Sequence, residues 1–358
     1  MKTLRLKVDP AHLDNEESKS AIAQAAEILR AGGLVALPTE TVYGLGANAL
    51  SADAVARIFA AKQRPSWDPV IVHIAGPVSQ NPMLTSLAAN LPRGAEDLMR
   101  AFWPGPLTLL LPRSPAVPDI VTAGRPLVGI RMPAHPVAWE LIGQAGVPVA
   151  APSANVFGHI SPTTAEHVLE DLDGKIDAVL DAGPTQHGVE STVLDPAQQP
   201  MMIYRPGAIT ADQIGKIVGM VESLKEKIVP EAAAREALPS PGVGLRHYAP
   251  HAQLILIEGT LAELPNRLAE RAKAHERKRL GVMLPMELAN IDLSAPLRAA
   301  AEFAWGRWSA PQELAEKLYA GLRALDAQGC DVILCPLPEP GGIGDAIRDR
   351  LHKASHSG

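Results

Sequence analysis

Lys62 and Arg64 stand two residues apart in "AAKQRPSWDPVIVHI", where Pro65 stops a helical pattern. Pro65 and Pro69 stiffen the loop that follows. A pair of cations on a rigid loop suits polyphosphate. Cations in the last turn of a helix also complement its dipole, so the residue types leave both readings open. Arg131 interrupts an apolar strand in "VGIRMPAHP". A buried guanidinium without an anion is costly, so Arg131 requires a partner, either a protein carboxylate or the carboxylate of a small ligand held bidentately. Arg205 ends a further strand in "YRPGAIT". Converging, Lys62, Arg64, Arg131 and Arg205 would make a cationic pocket for a ligand of several negative charges.

Hydroxyls accompany the cations. "ALPTETVYGLGANAL" leaves an apolar run through Thr39, Glu40, Thr41 and Tyr43, with Gly44 and Gly46 behind them. Such a strand exit can donate to an anion, or it is a tight strand-to-helix turn. Ser153 and Asn155 follow a strand end in "APSAN", and Ser161 precedes Pro162 at a helix start. A helix N-terminus with hydroxyls before it binds anions, while capping by Ser and Asn is its everyday form. Ser191 enters a strand in "HGVESTVLDP", and His73 lies in an apolar strand where a hydrogen-bonded core histidine is the ordinary occupant. Familiar phosphate loops are missing. "GPTQHGVES" has Val189 where a P-loop needs lysine, "GLG" at 44–46 lacks a third glycine, and HExxH and GxSxG do not occur.

These residues need elements to position them. "GLVALP", "VIVHIAG", "LTLLLP", "VGIRMP", "VPVAAPSAN", "AVLDAG", "STVLDP" and "MMIYRPG" read as strands. "AAEILRAG", "SADAVARIFAAKQR", "GAEDLMRAFW" and "PVAWELIGQAG" read as helices. Thr163 with Glu166 and Thr210 with Gln213 have capping-box spacing. Strands outnumber helices without alternating strictly, which predicts an α/β fold of the α+β kind with a twisted mixed sheet over 1–219. Residues 220–251 are poor in periodic apolar content and read as an interdomain linker. From 252 to 358 strand and helix alternate, with Ser309 and Gln312 spaced to cap "LAEKLYAGLRALDAQG", so a small parallel α/β domain is expected there.

The 358 residues, 47% of them hydrophobic, suffice for one large or two ordinary domains. No apolar run is long enough to span a bilayer, so no membrane partner is expected. Two cysteines, Cys330 and Cys335, exclude a disulfide scaffold and a four-cysteine zinc site. They fit buried thiols in a reducing cytoplasm, as does "MKTLRLKVDPAHLDNEES", which lacks the apolar core of a signal peptide. A net charge of −6 and 4% aromatics argue against coating nucleic acid as the main task.

Taken in order, "LPTETVYGLGANA", the Lys-x-Arg of "AKQRP", "FWPGPLTLLL", "VGIRMPAHP", the Ser-x-Asn of "APSAN", "GVESTV" and "YRPGAIT" resemble the YrdC/Sua5 family. "SPGVGLRHYAP" resembles the linker of its longer, two-domain Sua5 type, and "GIGDAIRDRLHKAS" that type's C-terminal helix. The resemblance implies a YrdC-like catalytic domain followed by a small Rossmann-like domain. It implies an L-threonylcarbamoyladenylate synthase, a nucleotidyltransferase that makes threonylcarbamoyl-AMP and pyrophosphate from L-threonine, bicarbonate or CO2, and ATP with Mg2+. The product serves t6A37 modification, which brings in tRNA and the downstream threonylcarbamoyl-transferase proteins as partners.

Carried onto this sequence, the resemblance gives Lys62 and Arg64 the ATP phosphates and the catalytic role. It gives Ser153, Asn155 and Ser161 phosphate and ribose, and Arg205 the nucleotide. Asp68 falls at the ATP site, and Tyr248 folds over it as part of a lid. Arg131 would clamp the threonine carboxylate, with Thr39, Thr41, His73, Ser191 and the backbone at Ala151 lining the threonine end. The resemblance leaves the metal ligands open, with a Mg2+ contact by Asp68 as one reading. Gln63 stands where the family shows Gly, Asp68 and Asp349 where it shows Asn, and Val243 to Arg246 depart from its linker pattern. Two other readings are a related carbamoyl-adenylate domain of hydrogenase maturation, which the cysteine count opposes, and a non-catalytic RNA-binding module, which the acidic total opposes.

Overall fold

The computed structural model describes residues 2–224, 248–289 and 300–356, and the fold is stated for these. Contacts divide the chain into two compact units, one of 1–157, 161–186 and 190–244, the other of 158–160, 187–189 and 245–358. The linker read over 220–251 therefore contributes to both, and its residues 225–247 lie outside the described ones.

In the first unit the elements run β1 (Leu4–Lys7), α1 (Glu16–Arg30), β2 (Val35–Pro38), β3 (Tyr43–Asn48), α2 (Ala52–Lys62), β4 (Ile71–His73), α3 (Pro82–Leu87) and α4 (Ala95–Phe102). They continue with β5 (Leu107–Pro112), α5 (Asp119–Thr122), β6 (Leu127–Arg131), α6 (Pro136–Ala145), β7 (Val149–Ala150), α7 (Ala165–Leu172) and β8 (Ala178–Asp181). Last come β9 (Thr192–Asp195), β10 (Met201–Arg205), α8 (Ala211–Val218) and β11 (Val221–Ser223). All eleven strands join one sheet in the order β1-β8-β2-β3-β7-β4-β6-β5-β9-β10-β11, with parallel and antiparallel pairs interspersed. This is the mixed sheet that the uneven spacing of strands and helices predicts. Val221–Ser223, read as the start of a linker, pairs in parallel with β10 and extends the sheet instead.

Alternation along the strands sorts the core into layers. Leu34 and Ala36 face one side with Val72, Leu109, Ile130 and Leu194, and join the largest core cluster. Val35 and Leu37 face the other side with Val149, under Ile22, Ala25 and Leu29 of α1 and Val137, Leu141 and Ile142 of α6. The stretch after Pro38 is not a strand-to-helix turn. It is a hairpin returning as β3, antiparallel to β2, with Gly44 and Gly46 inside the strand.

Cap positions differ from the spacing rule in two helices. Thr164, not Thr163, caps α7 by accepting from the His167 backbone N–H, because the Thr163 hydroxyl is engaged with His167 Nδ1. The Thr210–Gln213 box forms as expected. In the second unit the elements are β12 (Gln253–Ile257), α9 (Leu264–Ala274), β13 (Leu280–Pro285), β14 (Ala301–Gly306), α10 (Pro311–Ala327), β15 (Val332–Pro336) and α11 (Gly344–Ser355). The strands form a parallel sheet in the order β12-β15-β13-β14. Ser309 does not cap α10. Its N–H and hydroxyl go to the Glu287 carboxylate, and Pro311 opens the helix after Ala310. Cys330 and Cys335 are both free and buried. No described helix is long and apolar enough to cross a membrane.

Gly46 is fixed by close packing. A Cβ there would lie 2.8 Å from Leu37 Cδ2, 2.9 Å from Val149 Cγ1 and 3.0 Å from the Val35 carbonyl oxygen. Gly46→Ala is expected to lose about 1–3 kcal/mol of stability in urea unfolding. Gly143→Ala, on an exposed turn of α6 with nothing within 4 Å, should instead gain up to about 1 kcal/mol. Equal midpoints for the two variants would contradict the packing account.

Candidate active site

Strand register gathers the polar residues. His73 of β4 is paired with Arg131 of β6, Arg131 with Thr108 of β5, Thr108 with Val193 of β9, and Val193, after a bulge, with Arg205 of β10. Paired positions leave a sheet on the same side. His73 is also paired with Val149 of β7, whose side chain belongs to the layer beneath α1 and α6. The row thus continues that face into the half of the sheet where its apolar packing shrinks to Ile71, Leu110 and Val193 with Leu127 and Tyr204, all strand residues. A face with so little apolar cover and so many buried polar groups is a site, not a core.

Arg131 is the centre of this face and is 3% exposed. Its Nε donates to the Gly105 carbonyl at 3.2 Å and its Nη1 to Thr41 Oγ1 at 3.0 Å. Its Nη2 lies 2.6 Å from Glu40 Oε1. The required partner is thus a protein carboxylate, and it comes from the opening hairpin. Burial drives the Glu40 carboxyl upward, but the Arg131 charge and nearby N–H groups outweigh it and hold the pKa below the ordinary 4.5. Thr39 Oγ1 lies 2.8 Å from Thr41 Oγ1 and donates to the Val42 carbonyl at 2.7 Å, which fixes the hydroxyl facing Arg131. Farther along the row Thr108 Oγ1 and Ser191 Oγ are 2.8 Å apart, and Arg205 Nη2 donates to Ser191 Oγ at 3.1 Å and to the Ser191 carbonyl at 3.0 Å. Thr39, Thr41 and Arg131 therefore share one hydrogen-bonded group and Ser191 and Arg205, with Thr108, a second, and strand register sets His73 beside Arg131 and joins the two groups in one row.

The nucleotide candidates form a second group. Lys62, 1% exposed, donates from Nζ to the carbonyls of Ser153 and Asn155, each at 2.5 Å. Burial, then the charge of Arg64, push its pKa well below the ordinary lysine value, against the pull of Asp68 and Asp171. Arg64 folds onto its own loop, with Nε to the Asp68 carbonyl at 3.0 Å, Nη2 to the Pro69 carbonyl at 2.7 Å and Nη2 2.9 Å from Asp68 Oδ2. Its guanidinium lies 5.8 Å from the Phe157 ring centroid. Asp68 is thus the counter-ion of Arg64. Ser161 Oγ donates to Glu190 Oε1 at 2.7 Å.

Strand β3 joins the two groups. Leu45 N donates to the Pro152 carbonyl, Ala154 N to the Tyr43 carbonyl, and Gly44 bridges Ser153. A Cβ on Gly44 would meet the Ala151 Cβ at 3.2 Å, so the glycine lets the two backbones approach. Ala151 itself donates its N–H to the Ile71 carbonyl at 2.9 Å.

Tyr248 belongs to the second unit. There it is buried, with φ +66°, its ring stacked on Tyr319 at 5.6 Å and the Arg350 guanidinium 5.5 Å from its centroid. Thr108 was not singled out from sequence, and Glu40 and Glu190, though they lie within the quoted motifs, were given no role there. Thr108 is the lone hydroxyl in "LTLLLP" and Glu40 the lone carboxylate in its hairpin, signals that become legible only once Arg131 demands an anion.

Known proteins match this arrangement along nearly the whole chain. The Sua5/YciO/YrdC family model, described as telomere recombination, matches residues 27–207, and one described as the threonylcarbamoyl-AMP synthase C-terminal domain matches 209–356. The chain belongs to the Sua5-type threonylcarbamoyl-AMP synthase family. The threonylcarbamoyl-AMP synthases of Pyrococcus abyssi and Bacillus subtilis are each 43% identical to it, over 95% of both chains for the first and over 99% of this chain and 98% of the other for the second. The crystal structure of P. abyssi Sua5 complexed with L-threonine superposes with a TM-score of 0.87 at 40% identity, covering 99% of this chain and 98% of that one. The two-domain Sua5 type expected from the motifs is therefore the family found.

Within this Sua5-type site His73 carries a pH signature. Burial, with the Arg131 charge beside it, pushes its pKa down to about 3 from 6.5, so the folded protein holds it neutral. The unfolded chain takes up this proton first, so stability falls as pH drops below 6.5. The stability difference between wild type and His73→Gln should shift against wild type by about 1.4 kcal/mol between pH 7.5 and 5.5. Parallel pH profiles from urea titrations of the two proteins would rule out a buried neutral imidazole.

Proposed function

We propose that this protein is an L-threonylcarbamoyladenylate synthase, a nucleotidyltransferase taking L-threonine, bicarbonate or CO2, and ATP to threonylcarbamoyl-AMP and pyrophosphate. The observation that carries the reading is the single polar row, His73 to Arg205, lying next to the loop that Lys62 holds. Threonine amine adds to CO2 and gives a carbamate. A carbamate oxygen attacks the α-phosphorus and pyrophosphate leaves. No protein nucleophile is needed, so catalysis rests on positioning and charge stabilisation.

Arg131, oriented by Thr41 and the Gly105 carbonyl, receives the threonine carboxylate. Thr39, Thr41, His73, Ser191 and the Ala151 backbone bound the rest of that molecule. His73, being neutral, offers Nδ1 without adding charge; this atom has no hydrogen-bond partner among the described residues. Ser153, Asn155 and Ser161 meet the phosphates and ribose from the loop that Lys62 secures, with Arg64, Asp68 and Arg205 on the nucleotide side.

ATP chemistry calls for Mg2+. Among the described residues no group of three or more His, Cys, Asp or Glu side chains comes together, and Glu40 and Asp68 each face an arginine. The described residues do not make a protein cage for a metal, so Mg2+ is read as arriving on the triphosphate, which suits its preference for phosphate and water oxygens. No step is assigned to it. The product would feed t6A37 synthesis through tRNA-directed transferases in the cytoplasm.

The test is release of pyrophosphate from ATP that depends on both threonine and bicarbonate. Lys62→Met or Arg64→Ala should lower the rate by about 100-fold or more while circular dichroism is retained. Arg131→Ala should raise the threonine requirement more than the ATP requirement. A non-catalytic RNA-binding module would release none, and its RNA affinity would fall steeply with salt.

A further inference from the structure

We propose that Glu40 is a positioning residue whose buried carboxylate orients the Arg131 guanidinium for the threonine carboxylate, setting threonine affinity without touching threonine. The inference rests on the threonine reading of the Arg131 site. Glu40 is 2% exposed and is the carboxylate paired with Arg131. The arginine is held on three sides, by Gly105 at Nε, Thr41 at Nη1 and Glu40 at Nη2. The first two are directed hydrogen bonds. The third is a close charge contact at 2.6 Å in which Nη2 lacks the aligned hydrogen-bond geometry of the other two.

That geometry separates two tasks. Glu40 supplies the countercharge that keeps a buried guanidinium in place. It leaves the Nη2 N–H groups without an aligned acceptor, and a carboxylate is the ligand whose paired oxygens fit such a fork. The groups around Glu40 fit a fixed anion. Arg131 faces it from β6, the Ala134 backbone N–H donates toward it, and His135 is the further titratable group that its charge acts on. The hairpin between β2 and β3 carries Thr39, Glu40 and Thr41 together, so one rigid turn sets both the hydroxyl and the carboxylate that aim Arg131.

Steady-state pyrophosphate release, with threonine and ATP varied separately, tests this. Glu40→Gln should raise the threonine KM by about tenfold or more, with the ATP KM and the threonine-saturated kcat changing by less than about threefold. Glu40→Asp, which keeps the charge, should recover part of the threonine KM. In an Arg131→Ala background Glu40→Gln should add no further loss, because residues acting through one another are not additive. An unchanged threonine KM in Glu40→Gln, a loss confined to kcat in step with the unfolded fraction, or full additivity with Arg131→Ala would each overturn the proposal. If Glu40→Gln does not fold, Glu40→Asp decides. A threonine KM raised relative to the ATP KM supports the role, and an unchanged one removes it. A wild type lacking threonine-dependent release would instead remove the functional reading itself, before any variant is compared.

Discussion

The buried charge of Arg131 is the constraint around which the first unit is arranged. A guanidinium at the end of a central strand has to be compensated, and this chain does so from two separated segments: the hairpin after β2, which supplies the Thr41 hydroxyl and the Glu40 carboxylate, and the turn before β5, which supplies the Gly105 carbonyl. Each of these segments approaches only because the sheet brings β2, β5 and β6 within reach. The ion pair thereby ties the hairpin to a face of the sheet that has little apolar packing of its own. On the proposed reading, stability and threonine binding share one interaction here. Removing either partner leaves an uncompensated charge, a loss of about 3–5 kcal/mol for a pair this buried.

The proposed nucleotide side follows a different principle. Its cations do not point outward as a patch. Lys62 spends its ammonium on backbone carbonyls at 153 and 155, and Arg64 spends much of its guanidinium on carbonyls and a carboxylate of its own loop. Positive charge is placed beneath and beside the loops, whose hydroxyls and N–H groups then carry the recognition. Such an arrangement preorganises donors before substrate arrives, which is where electrostatic catalysis gains most. On the proposed reading it would serve a phosphate site without a glycine-rich P-loop.

Much of this was legible in the chain because strand-end polarity is a local signal. Arg131 had to have an anion, and it has one. The mixed sheet followed from strands that outnumber helices, and the alternating second half from its regular spacing. What stayed hidden was set by tertiary contacts. The hairpin at Gly44 and Gly46 looks like a turn because glycine signals turns, yet these glycines serve close approach of β3 to Ala151, Leu37 and Val149. Val221–Ser223 is short and mostly exposed, so only its pairing with β10 makes it a strand. Thr163 and Ser309 have cap spacing, but a neighbouring histidine and a distant carboxylate engage them first. Side-chain competition of this kind cannot be read from spacing.

Gln63 shows how one backbone angle serves both groups of cations. It ends α2 in the left-handed region, φ 52°, with Arg64 N returning to the Phe59 carbonyl at 2.9 Å. A residue other than glycine in that conformation costs about 1 kcal/mol. Continued as helix, the chain would place Arg64 roughly 200° around the α2 axis from Lys62. The reversal at Gln63 instead sends Lys62 inward beneath 153–155 and Arg64 forward over Asp68 and Pro69. Glycine at this position would remove the strain. This chain keeps the reversal with glutamine, so the anchoring on both sides must outweigh the strain, and the separation of the two cations is what the helix end is built to achieve.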